Sequence, residues 1–324
     1  MRVTVLGAGA VGGWLAAGLA RAGLPVSVLA RGATLAALRA EGLVLLRDGA
    51  RETFRLPASD DPAALAGAEV VLLGLKGHDL PAALPLIRRL LGPQTVLLAV
   101  QNGLPWWFFQ GFGGPLRDTV LESVDPGGAL ARALPVARVL GGVAHVASLV
   151  EAPGVVRLVR EDRMLLGDPG GGHGATLAAL VAALRRGGVP AEAAANIRAE
   201  IWLKLWGNSN MNPLSALCRA DSAAMLDEAG VRGLVVAMMR EMAAIGERIG
   251  LPLPADPEAR IAVTRRLGAF RTSMLQDLEA GRSLETGPLL GSLVEIAGRL
   301  GVPAPTLAGV HGLLRLLTAA PATA

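Results

Sequence analysis

The feature that most constrains this chain lies within its first 31 residues. An apolar run, RVTVL at 2–6, leads into Gly7-Ala8-Gly9-Ala10-Val11-Gly12; a helical pattern through Leu15, Leu19 and Ala22 follows, and a second apolar run occupies 25–30. Three glycines at this spacing mean little alone. Set between a strand and a helix that returns to a second strand within about 30 residues, they predict a dinucleotide-binding βαβ unit. Gly7 would allow the tight turn, Gly9 the approach of backbone to a pyrophosphate, and Gly12 the close packing of helix on strand. Ala10 and Val11 open the helix whose first N–H groups would face the phosphates.

The end of the second strand sharpens the cofactor. An NAD site would carry an acid about 20 residues beyond the loop to hold the ribose 2′-hydroxyl. Here the chain reads Leu29-Ala30-Arg31, without an acid. Arg31 is placed to meet a 2′-phosphate, so NADPH is the expected cofactor.

Alternation of short apolar runs with helical patterns continues beyond this unit. Residues 43–46 and 52–56 read as strands, 69–75 as a buried parallel strand, 78–91 as a helix and 95–100 as another strand. This is the pattern of a doubly wound α/β sheet. From 138 to 166 the pattern is strand-like, with turns expected at 152–154 and 160–162, and the glycine-rich run 167–174 reads as a linker. Everything later looks helical, including a long periodic segment over 228–249 ended by Gly250 and Pro252, with a short terminal tail from 318 to 324. The expected organisation is a Rossmann-like nucleotide domain over 1–170 and an all-helical substrate domain over 171–324.

Composition excludes other classes. At 324 residues, 52% hydrophobic and 18% charged, the chain has ample apolar material for a core. Its longest uncharged stretch, 90–116, is interrupted by Gly92, Pro93, Asn102, Gly103, Pro105 and Pro115, so no membrane span is expected. Net charge is +4, and the basic residues are scattered without the stripe and stacking aromatics of a nucleic-acid binder. Its single cysteine, Cys218, suits a reducing compartment, and a cytoplasmic protein is expected, for which a homodimer is one admissible assembly. No metal site is expected.

Of the 31 basic side chains only Lys76 and Lys204 are lysines. Where arginine serves almost everywhere as the cation, the two amines stand out, because an ammonium can shift its pKa and give up a proton. Lys76 and the segment Gln101-Asn102-Gly103 each follow a strand, where ligands of open α/β sheets bind. Trp106, Trp107, Phe108 and Phe109 come next, as pocket wall, lid or core. The segment 201–214 places Lys204, Asn208 and Asn212 four residues apart, an arc of about 80° on a helix. Three of the five asparagines lie here at the expense of helix propensity, and the flanking tryptophans and leucines would desolvate the amine toward a useful pKa. Ser273 and Glu285 add a hydroxyl and a carboxylate near turns.

Together these segments resemble one family. The glycine loop, Arg31, Gln101-Asn102-Gly103, Lys204-x3-Asn208-x3-Asn212-Pro213-Leu214, Ser273-Met274-Leu275-Gln276-Asp277 and Gly281-Arg282-x2-Glu285 follow the order found in the ketopantoate reductases (2-dehydropantoate 2-reductases) over nearly the whole chain. The resemblance implies an N-terminal Rossmann domain, a helical C-terminal domain, and NADPH-dependent reduction of the 2-oxo group of 2-dehydropantoate to pantoate, a step toward pantothenate and coenzyme A. It implies Lys204 as general acid with Glu285 beside it in the catalytic set. Glu285, Ser273, Asn208 and Asn212 are implied substrate contacts, and Lys76 and Asn102 contacts around the nicotinamide ribose and the substrate, which would sit between the domains.

The chain departs from the family pattern in three places. Thr286-Gly287-Pro288 lacks the aspartate usual two residues after Glu285, Leu290 replaces an asparagine, and the Trp106 to Phe109 cluster is unusual. A reductase of a different 2-oxo acid, or a non-catalytic NADP-binding sensor, are the rival readings.

Overall fold

The computed structural model describes residues 1–254 and 256–319, so most of the expected tail, 320–324, lies outside the described residues. They divide into two compact units, Met1–Gln101 with Leu130–Glu200, and Asn102–Ala129 with the described residues from Ile201 onward.

The first unit is built on one sheet. Its strands are β1 (Val3–Leu6), β2 (Val26–Leu29), β3 (Leu43–Arg47), β4 (Ala50–Phe54), β5 (Ala58–Ser59), β6 (Val70–Leu73), β7 (Val96–Ala99), β8 (Val139–Ala152), β9 (Val155–Gly167) and β10 (Ala191–Ala193). They run in the order β4-β3-β9-β8-β7-β6-β1-β2-β5, with β10 also pairing β9. The central strands β1, β6 and β7 are buried at every position, which is why their sequences are continuous apolar runs rather than alternating ones. β6 and β2 flank β1 on opposite sides and run parallel to it, so the chain reverses its winding between β1 and β6. Loops at the carboxyl ends of strands meet at such a reversal.

Five helices belong to this unit: α1 (Ala10–Arg21), α2 (Gly32–Ala40), α3 (Leu80–Leu90), α4 (Ala129–Ala133, shared with the boundary) and α5 (Gly174–Arg186). Two glycines let α1 lie close against its neighbours. A Cβ on Gly13 would stand 2.7 Å from Val156 Cγ2, and one on Gly18 2.6 Å from Val189 Cγ2.

Three expectations are corrected here. The fourth strand begins at Ala50, not 52, because Asp48 and Gly49 adopt φ of +50° and +79° and close a two-residue hairpin that sets the register from Arg47 opposite Ala50. The charged stretch 160–162 is no turn: it lies inside β9, where the register jumps from His145 opposite Arg163 to Val146 opposite Glu161, leaving Asp162 as an extra residue in a bulge. The boundary at 170 also falls elsewhere. The glycines of 167–174 form a bend into α5, and that helix and β10 still belong to the first unit, β10 pairing β9 from Ala191 opposite Met164. The segment 102–129 instead belongs to the second unit.

The second unit is helical: α6 (Ile197–Cys218), which it shares from Ile201 onward, α7 (Ser222–Asp227), α8 (Ala229–Ile249), α9 (Pro257–Arg266), α10 (Ser273–Glu279), α11 (Ser292–Leu300) and α12 (Pro305–Ala319). As expected, α8 ends at Gly250, which takes a left-handed φ of +78°. Its interior joins α6 to α8: Trp206 Nε1 donates to the Met239 carbonyl at 2.9 Å and Ser209 Oγ to Met242 sulfur at 3.5 Å. Trp106, Trp107, Phe108 and Phe109 are core, each no more than 5% exposed, with Phe108 and Phe109 packed edge to face at 5.1 Å. Among the described residues, no helix is long and apolar enough to cross a membrane.

Candidate active site

Each unit carries its own group of candidate functional residues. In the first, the glycine loop leaves β1 and α1 begins at Ala10, with Gly9 as an N-cap that supplies no side-chain bond. Gly7 holds φ at +89°, which only glycine adopts without strain. A Cβ on Gly12 would lie 2.2 Å from the Gly7 carbonyl oxygen, and one on Gly74, just past β6, 2.4 Å from the same atom. Gly7, Gly12 and Gly74 therefore touch through backbone alone. Gly9 differs: a Cβ there would find nothing nearer than Gly74 oxygen at 3.9 Å. The loop is packed beneath and open at Gly9, above a helix start whose first N–H groups, those of Ala10, Val11 and Gly12 among them, have no partner within the helix. Such a cradle fits a dinucleotide pyrophosphate.

Around it stand the other strand ends. Arg31 follows β2 at the start of α2; its side chain is exposed and makes no ion pair among the described residues. Lys76 caps the short turn after β6. That turn is tied to β7 by Gln101, whose side-chain nitrogen donates to the carbonyls of Leu73 at 2.7 Å and Leu75 at 3.3 Å. Neither Gly74 nor this role of Gln101 was evident from spacing, although a glycine directly after a buried strand was the available signal.

In the second unit the polar stripe forms as the four-residue spacing predicts. Lys204, Asn208 and Asn212 lie on one helix, α6, with Asn212 buried. Lys204 Nζ donates to Asn102 Oδ1 at 2.8 Å. Desolvation lowers the lysine pKa to about 8, and the charge of Glu285 opposes that fall. Glu285, itself buried, stands just before a π-helical turn over Gly287–Gly291. The wider turn presents the Pro288 carbonyl to Leu104 N–H at 2.9 Å and to Ser292 Oγ at 2.9 Å. A Cβ on Gly103 would meet that carbonyl at 2.5 Å, so Gly103 is what lets the Asn102 turn seat against the segment following Glu285.

Ser273 opens α10 behind the cap Thr272, whose hydroxyl bonds Ser215 on α6 and accepts from Leu275 N–H. α10 is thereby anchored to the stripe-bearing helix, while Ser273 itself is exposed. Arg282 returns to Asp277 through Nε at 2.8 Å, bracing the loop that delivers Glu285. The structure thus groups Lys204, Asn102 and Glu285. It places Asn102 in the second unit and Lys76 in the first.

Comparison with known proteins gives the family. Residues 3–107 match the family model described as ketopantoate reductase PanE/ApbA, and 196–318 the model for its C-terminal part. A 2-dehydropantoate 2-reductase of Mesorhizobium japonicum is 42% identical over 318 residues, covering 98% of both chains. Among solved structures, a Ralstonia solanacearum MolK2 protein assigned as a ketopantoate reductase superposes with TM-score 0.93 at 44% identity, covering 98% of this chain and 97% of its own. The 2-dehydropantoate 2-reductase of Methylococcus capsulatus gives 0.84 at 30% identity, covering 98% and 97%. With both parts matched in order, the chain belongs to the ketopantoate reductase family of nicotinamide-dependent oxidoreductases.

Proposed function

We propose that this chain reduces the 2-oxo group of 2-dehydropantoate to pantoate at the expense of NADPH, a step toward pantothenate and coenzyme A. The observation that carries the reading is the Lys204 ammonium, held by Asn102 at 2.8 Å with its pKa near 8 and the charge of Glu285 acting on it. The reduced nicotinamide, when bound, supplies the hydride that adds to the carbonyl carbon. Lys204 meets the charge that then develops on the carbonyl oxygen, first by hydrogen bonding and then by transferring a proton from Nζ. An amine of pKa about 8 is still protonated at neutral pH yet releases its proton far more readily than an ordinary lysine.

The remaining residues bind and orient. Asn102 fixes the direction of the ammonium, Glu285 accepts a hydrogen bond from a substrate hydroxyl, and Asn208, Asn212 and Ser273 complete the polar contacts. The N-terminus of α1 and the opening at Gly9 take the pyrophosphate, Arg31 takes the 2′-phosphate, and Lys76 serves the ribose.

The test is consumption of NADPH by the purified chain with 2-dehydropantoate, with pantoate identified as product. No turnover on 2-dehydropantoate alongside turnover of another 2-oxo acid would transfer the proposal to the second reading, a reductase of a different 2-oxo acid. That reading is favoured by Gly287 and the fully buried Leu290 in the turn behind Glu285.

A further inference from the structure

Helix α9 lays an arginine against the helix that carries Lys204. A Cβ built on Gly207 would stand 2.7 Å from Arg260 Nη2, 3.3 Å from its Cζ and 3.4 Å from its Nε. The guanidinium fork therefore lies along α6 in space that only a glycine leaves. Gly207 comes three residues after Lys204 and one before Asn208. At about 100° per residue it projects roughly 60° to one side of the lysine while Asn208 projects roughly 40° to the other. The fork borders the polar stripe on its lysine side.

Among the described residues this cation has no anion of its own. Its fork makes one polar contact there, from Nη1 to Thr264 Oγ1 at 3.4 Å, a weak bond one turn along the same helix. The acid on α9, Glu258, pairs instead with Arg232 at 2.6 Å, and Arg265 has Asp227 at 2.6 Å. Arg260 is half-buried, and burial holds its pKa below the usual guanidinium value. A desolvated charge without a partner is costly, and a bound anion relieves that cost.

We propose that Arg260 receives the carboxylate of the 2-oxo acid, so that the chain selects acids over neutral ketones at this position. The inference rests on the function proposed above. The carboxylate of a 2-oxo acid is bonded to the ketone carbon, so the groups that bind the two must be close neighbours. Lys204 and Gly207, against which the fork lies, are three residues apart on α6, about one helical turn. A planar fork also matches a carboxylate through two parallel N–H bonds, which a lysine cannot reproduce.

The experiment compares kcat/KM for 2-dehydropantoate with that for its lactone, in which the carboxylate is closed into a neutral ester. Arg260→Ala should raise KM for the acid by about 10 to 1000-fold, leave the lactone nearly unaffected, and so collapse the acid-to-lactone ratio. Arg260→Lys should recover only part of it, and nicotinamide affinity should be unchanged. Gly207→Ala, which displaces the fork without altering it, should lower the ratio in the same direction. A folded Arg260→Ala that keeps the ratio overturns the inference. Should that variant fail to fold, an unchanged ratio in Gly207→Ala overturns it. Absence of turnover of any 2-oxo acid by the unaltered chain overturns the underlying function as well, whereas a preserved ratio overturns this inference alone.

Discussion

Lys204 Nζ and Asn102 Oδ1 lie 2.8 Å apart although 102 positions separate them, and both residues belong to the same compact unit. An amide acceptor at this distance aims an ammonium without neutralising it, as a carboxylate in the same place would. Lys204→Ala should therefore lower kcat by about 10² to 10⁴-fold with nucleotide affinity retained. Lys204→Arg keeps the charge but not a releasable proton, and should stay strongly impaired. Near-normal turnover in the arginine variant would show that the residue acts by charge alone.

The pH profile follows from the same ammonium. It must be protonated to serve as acid, so reduction should be level below about pH 8 and fall above it, while oxidation of pantoate should rise through the same range. Glu285 opposes the lowering of that pKa. Glu285→Gln should thus shift the alkaline limb to lower pH, and also weaken use of substrate while sparing nucleotide binding. A limb moving upward, or loss of nucleotide affinity by titration, would show the carboxylate wrongly assigned.

Gly9 and Gly12 should separate binding from folding. A methyl on Gly12 collides with the Gly7 carbonyl at 2.2 Å, backbone against backbone, and Gly12→Ala should cost about 1–3 kcal/mol or more of stability. Gly9→Ala meets no such neighbour and should melt like the parent chain, yet bind NADPH more weakly because the methyl occupies the opening. Calorimetric melting beside fluorescence titration checks both. Equal loss of stability in the two variants would contradict the packing described.

Arg31 is exposed and without an ion pair among the described residues. If it meets the 2′-phosphate, NADPH should exceed NADH by about 10 to 1000-fold in kcat/KM, and Arg31→Ala should erase most of that difference through KM. Equal use of both nucleotides by the unaltered chain would remove this role.

The glycine loop was legible because its three glycines are close in sequence and flanked by a strand and a helix. Gly74, which meets two of them, was not, since nothing links position 74 to position 7 until β1 and β6 pair. The polar stripe on α6 could be read from its four-residue spacing, but its partner Asn102 could not, because the bond depends on the Gly103 turn seating against Pro288. Residues 160–162 look like a turn for a local reason, three successive polar residues, and the antiparallel pairing of β8 with β9 overrides it with a bulge. The glycines of 167–174 mimic a linker, yet the chain beyond them returns to the sheet through β10. Arg260 gives no signal in sequence, because its meaning lies in the lack of an acid among the described residues around it.

The contact of Gly7, Gly12 and Gly74 through bare backbone also divides the labour of any attempt to retune this protein. Positions whose only permitted side chain is a hydrogen atom offer no handle, and a library randomised there would return mostly misfolded chains. Arg31, projecting from a strand end into solvent, is the opposite: it can be exchanged without disturbing a neighbour. Cofactor preference should therefore evolve, or be engineered, at the rim of the nucleotide cradle while its floor stays constant.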